Sequence, residues 1–344
     1  MFYIKLFYLR SKIIKTLVTH EKSLEQYHEQ LEYVLSNYQS HGLKQGDFKN
    51  IVIGGLGGSG IGAKLAQNWF YRLSEIPINV VNDYHLPNFV NENTLVILQS
   101  YSGNTEETLN LFSEAKEKGA RIIVLASGGK LEDLAKKENY TFYSLVKGFQ
   151  PRQTIGYGLS FLTLILGELI GIDYSDEIQK IAEEIKTNQD RRIDSAKTIF
   201  NFFKSSIQQK FVILCDRAME PVAIRFAQQI NENSKLEAFV QTIPEHNHNV
   251  LESYTDKLAS NFIFIYTSEN ERVASRFEFL QGHLELDNNS VLPLYIPEYS
   301  LMTIYDMIYR TDWVSVFFAN ELDAALMEVP MISQLKEYLA NLND

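Results

Sequence analysis

The feature that most constrains this chain is a repeating grammar: a short apolar run, a small-residue turn, then a segment of helical period. Asn50-Ile-Val-Ile-Gly54 leads into a glycine-rich turn and a helix expected over 63–71. Strands are expected over 78–82, 94–99, 121–126 and 141–145, with helices over 106–118 and 131–138 between the later ones. Apolar runs without alternation suit strands buried on both faces, and their alternation with helices predicts a parallel sheet covered on both sides. An apolar helix over 156–171 follows, and the turn-rich Gly171-Ile-Asp-Tyr-Ser-Asp176 separates it from a second half with the same grammar. That half has strands over 211–215, 237–240, 261–267 and 291–296, helices over 221–232 and 271–280, and a helical tail over 302–320 and 333–342. The expected fold is α/β, with two doubly wound, flavodoxin-like parallel-sheet domains whose ligand sites lie at strand C-termini. The boundaries are an N-terminal extension over 1–20, a first domain over 21–172 and a second over 173–344, as suits a chain of 344 residues.

The first domain opens on a capping-box pattern, Ser23-Leu-Glu-Gln26, with apolar residues at Leu24, Tyr27, Leu31, Val34 and Tyr38. Ahead of it, 2–18 carries Lys5, Arg10, Lys12 and Lys15 and no acid, so its apolar stretches are too interrupted for a membrane span. The formal net charge of −11 argues against a nucleic-acid partner, which needs clustered cations, but leaves room for an anion held by local donors. The single cysteine, Cys215, ends an apolar run. It reads as a buried strand residue in a reducing cytoplasm, with no disulfide framework.

Two loops carry the chemistry of the first half. Gly54-Gly-Leu-Gly-Gly-Ser-Gly-Ile-Gly62 holds a Gly-x-Gly-x-x-Gly between strand and helix, with Asp83 about 20 residues on, which matches a dinucleotide fingerprint. It lacks the Lys-Ser/Thr pair of a P-loop. The firmer inference is that small residues and Ser59 at a helix N-terminus let an anion approach backbone N–H groups. The second loop, Ser100-Tyr-Ser-Gly-Asn-Thr105, places three hydroxyls and Gly103 ahead of a helix. One hydroxyl suffices for an N-cap, whereas three suit the oxygens of a phosphomonoester.

Ser-x-Ser-Gly-x-Thr after a strand resembles the phosphosugar loop of the sugar-isomerase (SIS) domain family. The likeness extends through Pro151-Arg152, Gly156-Tyr157-Gly-Leu159, Asn231-Glu-Asn-Ser-Lys235, Pro244-Glu-His-Asn-His-Asn249 and Asp312-Trp-Val-Ser-Val316 to Leu335-Lys336. Over 21–342 the chain is similar to the bifunctional phosphoglucose/phosphomannose isomerases. The resemblance implies an aldose–ketose isomerase acting on a sugar 6-phosphate through a cis-enediol, with no metal and no cofactor. It assigns proton shuttling to Glu232, ring opening to His248 from the neighbouring subunit of a homodimer, assistance to Lys336, and enediolate stabilisation to Arg152. Phosphate contacts fall on Gly58, Ser59, Ser100, Ser102 and Thr105. His246 is given no role and is expected in solvent.

The chain departs from the family pattern at Val250, where relatives have Glu, and in the stretch 321–330 ahead of Lys336. Cys215-Asp-Arg replaces a glycine turn, so no phosphate loop is expected in the second half. Two alternatives stay open from the residues alone. One is a phosphosugar-binding regulator, although 1–48 is too short for the helical DNA-binding domain such regulators carry. The other is an NAD-dependent oxidoreductase built on the glycine loop.

Overall fold

A computed structural model describes residues 18–255, 260–286 and 289–342. The expected 1–20 extension therefore falls largely outside the described residues. The chain divides into two compact units between Ile178 and Gln179.

The first unit contains helices α1 (His20–Glu25), α2 (Tyr27–Asn37), α3 (Gly57–Phe70), α4 (Glu106–Glu117), α5 (Gly129–Lys137) and α6 (Ile155–Ile170). Its strands are β1 (Asn50–Gly54), β2 (Ile78–Val81), β3 (Thr94–Ser100), β4 (Arg121–Ala126) and β5 (Thr141–Ser144). The strands form one parallel sheet in the order β2-β1-β3-β4-β5, the flavodoxin-like winding. β3 is buried along its whole length because helices cover both faces. On one face Val52, Val96, Leu98, Ile122 and Val124 pack with Leu111, Phe112 and Leu131 of α4 and α5. The helix after β1 starts at Gly57, inside the glycine run, so the expected loop over 54–62 is mostly helix. Ser23 is no cap either: it is buried within α1, and Thr19 Oγ1 accepts from the Lys22 N–H at 3.2 Å.

Tyr174 locks the end of α6 against α3. Its ring meets Trp69 and Phe70 edge-on at 6.5 and 5.7 Å, and its hydroxyl accepts from Trp69 Nε1 at 3.2 Å. The chain reaches Tyr174 by a left-handed turn at Gly171, with the Ile172 N–H returning to the Gly167 carbonyl at 2.8 Å.

The second unit follows from helix α7 (Ser175–Thr187), which crosses the division, and contains α8 (Gln189–Phe203), β6 (Lys210–Asp216), α9 (Glu220–Gln229), β7 (Ala238–Ile243), β8 (Ser260–Thr267), α10 (Glu271–Leu286), β9 (Ser290–Ile296), α11 (Leu301–Glu321) and α12 (Pro330–Ala340). Its parallel sheet runs β7-β6-β8-β9, the same winding with one strand fewer. Cys215 is fully buried in β6, and burial pushes its thiol pKa well above the usual range, as for an inert core residue. A buried ion pair, Arg225 to Asp312 at 2.5 Å, joins α9 to α11. Among the described residues no helix is long and apolar enough to cross a membrane.

Gly167 tests the Tyr174 lock. A Cβ there would stand 2.5 Å from the Tyr174 ring and 2.7 Å from the Ile172 carbonyl oxygen. Gly167→Ala should destabilise the protein by about 1–3 kcal/mol, outweighing the roughly 1 kcal/mol that Ala gains over Gly in a helix. A lowered urea midpoint checks the sign.

Candidate active site

The winding order reverses between β1 and β3, and both strands deliver loops and helix N-termini at their C-terminal ends. At β1, Leu56 precedes α3 without a side-chain cap, and Gly57 adopts φ +54°. The first turn of α3 thus presents backbone N–H groups with the positive end of the helix dipole behind them. Gly60 closes the turn tightly: its Cβ would stand 2.8 Å from the Gly55 carbonyl oxygen, which accepts from Asn82 Nδ2 at 2.5 Å. Asp83, the residue a ribose would require, is exposed, and its Oδ1 accepts from the Tyr84 N–H at 2.6 Å.

At β3, Ser100 Oγ lies 2.9 Å from Thr105 Oγ1 across the loop and accepts from the Gly103 N–H at 3.2 Å. Ser102 is exposed, Thr105 half-buried and Ser100 buried. Thr105 is the N-cap of α4 but makes no side-chain cap bond, so its hydroxyl is not spent on its own helix. The Tyr101 N–H donates to Ser59 Oγ at 3.3 Å, which fastens the two loops together. Gly103 has φ +66°, and a Cβ on it would stand 1.7 Å from the Gly128 carbonyl oxygen. A Cβ on Gly129 would stand 2.5 Å from the Ser102 carbonyl oxygen, and Asn104 Oδ1 accepts from the Lys130 N–H at 3.1 Å. The Ser127-Gly-Gly-Lys130 turn, passed over in the sequence, is therefore the buttress of the hydroxyl loop. A Gly-Gly pair at the end of an apolar strand was the available signal.

Tyr101 extends the assembly. Its hydroxyl donates to the Val146 carbonyl at 3.0 Å and accepts from the Phe149 N–H at 2.9 Å, tethering the segment that leads to Arg152. Arg152 sits on the one-turn helix Pro151–Gln153, is 4% exposed, and donates from Nη1 to Gln150 Oε1 at 2.5 Å. This turn rests backbone-on-backbone over α3: a Cβ on Gly58 would stand 2.7 Å from the Pro151 carbonyl oxygen and 3.2 Å from the Arg152 nitrogen. The first unit thus brings together Gly58, Ser59, Ser100, Ser102, Thr105 and Arg152. Free helix N-termini, hydroxyls and one guanidinium turn can hold an anion with several oxygens without a basic surface.

Glu232, His248 and Lys336 occupy three separate elements of the second unit. Glu232 is half-buried in a π-helical turn, Ile230–Ser234, directly after α9. Lys235, in a left-handed conformation, donates from Nζ to the Glu232 carbonyl and, at 2.8 Å, to the Glu328 carbonyl ahead of α12. Lys336 is exposed on α12, beside the exposed Leu335. His248 is exposed on the one-turn helix Glu245–His248. His246 on the same turn is the reverse of expectation: it is 1% exposed, its ring lies 5.3 Å from that of Tyr254, and burial lowers its pKa. The turn directs one histidine into the core and the other outward.

The strand end equivalent to the glycine loop is filled in this unit. Asp216 Oδ1 accepts from the Met219 N–H at 2.9 Å, and Oδ2 accepts from the Thr267 N–H and hydroxyl, both at 2.7 Å. A carboxylate of the chain itself satisfies these donors.

Residues 47–147 match the SIS domain family, and residues 192–339 match the bacterial phospho-glucose isomerase C-terminal SIS domain. A bifunctional phosphoglucose/phosphomannose isomerase of Aquifex aeolicus is 35% identical over 301 residues, covering 85% of this chain and 91% of that protein. A D-glucosamine-6-phosphate 4-epimerase of Sulfolobus acidocaldarius is 30% identical over 86% of this chain and 90% of its own length. Among solved structures, the C-terminal domain of glucosamine-fructose-6-phosphate aminotransferase from Francisella tularensis superposes with a TM-score of 0.71 at 15% identity, covering 90% of this chain and 98% of that one. At that identity the likeness is one of fold.

If the hydroxyl loop is the anion grip, Gly103→Ala should remove detectable binding of fructose 6-phosphate in isothermal titration. Gly46→Ala, whose Cβ meets nothing within 4 Å, should leave it unchanged.

Proposed function

Because the chain belongs to the family of the bifunctional phosphoglucose/phosphomannose isomerases, we propose that it interconverts glucose 6-phosphate and mannose 6-phosphate with fructose 6-phosphate through a cis-enediol. It is an enzyme, a phosphosugar isomerase of that type. In this reading the phosphate is held by the N–H groups around Gly58 and by the hydroxyls of Ser59, Ser100, Ser102 and Thr105. Acidic residues Glu106 and Glu107 in the first turn of α4 leave the grip to dipoles and hydroxyls rather than net positive charge.

Glu232 takes the C2 proton of the open-chain aldose and returns it to C1. A carboxylate can accept and give back the same proton, so the transfer calls for no metal. Negative charge on the enediolate oxygens is met by the Arg152 guanidinium. His248, supplied by the second subunit of a homodimer, moves the proton between the C1 hydroxyl and the ring oxygen so that the ring opens, with Lys336 assisting. These assignments and the dimer rest on the resemblance of the motifs, and the cytoplasmic reading rests on the single cysteine. The observation that best supports the Arg152 and phosphate assignments is the seat of the Pro151–Arg152 backbone on Gly58, which sets the turn carrying the guanidinium against the turn meant for the phosphate.

The epimerase relative makes chemistry at C4 the reading to separate from this one. A coupled assay from fructose 6-phosphate, run beside product analysis by NMR with glucosamine 6-phosphate, distinguishes the two. Glu232→Gln should lower isomerase turnover about 10³-fold or more while titration still finds sugar-phosphate binding. Turnover at the parent rate would remove Glu232 from the mechanism.

A further inference from the structure

The turn that carries Glu232 is fastened to α11 through Ser315. The π-helical geometry of Ile230–Ser234 is rare and recurs at functional sites, where neighbouring structure enforces it. Asn233 Nδ2 donates to Ser315 Oγ at 2.9 Å, and Ser234 Oγ donates to the Ser315 carbonyl at 2.9 Å. Ser315 Oγ donates onward to the Asp312 carbonyl at 2.6 Å, which fixes the rotamer that receives Asn233. Asn233, Ser234 and Ser315 are all buried, so water does not replace any of these bonds without rearrangement. One turn earlier on α11, Asp312 receives Arg225 of α9, so the helix leading into the π turn is tied to the same stretch.

We infer that Ser315 is a positioning residue for the Glu232 carboxylate, acting by fixing the backbone of the two residues that follow it. The inference rests on the reading of Glu232 as the base. Proton transfer between adjacent carbons requires the carboxylate to reach both within a narrow range, and a misplacement of about 1 Å from a distant change is enough to cost about 100-fold in rate. The phosphate loops belong to the other unit, so substrate grip should not sense the change.

Ser315→Ala should therefore lower kcat for fructose 6-phosphate about 100-fold with KM changed by no more than about twofold. In a Glu232→Asp background, where the carboxylate is already retracted, the same substitution should add little to the loss, because both act through one group. Parent-level kcat in folded Ser315→Ala overturns the inference. So does an undiminished further loss in the Glu232→Asp background, which marks a general structural role. Glu232→Gln at the parent rate fails differently, since it removes the base itself. Should Ser315→Ala not fold, Ser234→Ala deletes one of the bonds without altering α11. A fall in kcat at constant KM then supports the inference, and no fall overturns it.

Discussion

The candidate site of the first unit depends on contacts between backbones at distances that no side chain would permit. Donors at helix N-termini point along fixed axes, so they converge only if the loops carrying them lie closer together than Cβ atoms allow. Gly58 under the Arg152 turn, Gly103 under Gly128 and Gly129 under Ser102 supply that closeness. Hydrogen bonds then run from Ser59 to Tyr101 and from Tyr101 to Val146 and Phe149, three residues ahead of Arg152 in the chain. The result is a set of hydroxyls and N–H groups held in fixed orientation, the pre-organisation that the proposed anion grip would require in a chain with a net charge of −11.

Much of this was legible in the sequence, for physical reasons. Buried parallel strands leave unbroken apolar runs, so β1, β3, β4, β6 and β8 were readable nearly to the residue, and the hydroxyls of Ser100, Ser102 and Thr105 stood out as more than a cap needs. What stayed hidden were features decided by tertiary contact. Gly57 to Gly62 read as loop because glycine weakens helices, yet the site uses those glycines at a helix start. His246 and His248 differ in burial only because a one-turn helix points them oppositely, which spacing does not reveal. Gln99 is a polar side chain buried between helices, with Gly62 and Gly158 making the room: a Cβ on Gly158 would stand 2.2 Å from its Nε2. Nothing in the local pattern of an apolar strand announces such a residue. Glu232 was recognisable only through its family register. Its neighbours Asn233 and Ser234 gave no hint that they serve α11.

The two units repeat one winding and have diverged at the same place. Where the first keeps glycines and open N–H groups after its first strand, the second has Asp216, whose carboxylate already accepts from the Met219 and Thr267 donors. A group tethered to its own loop is present at an effective concentration of about millimolar or more, whatever the surrounding medium holds. It is therefore a permanent competitor that a free phosphate ester must displace. If the proposed grip is the phosphate site, the repeated scaffold does not repeat the stoichiometry: the reading gives one phosphate per chain, because the donors beside Asp216 are already satisfied from within.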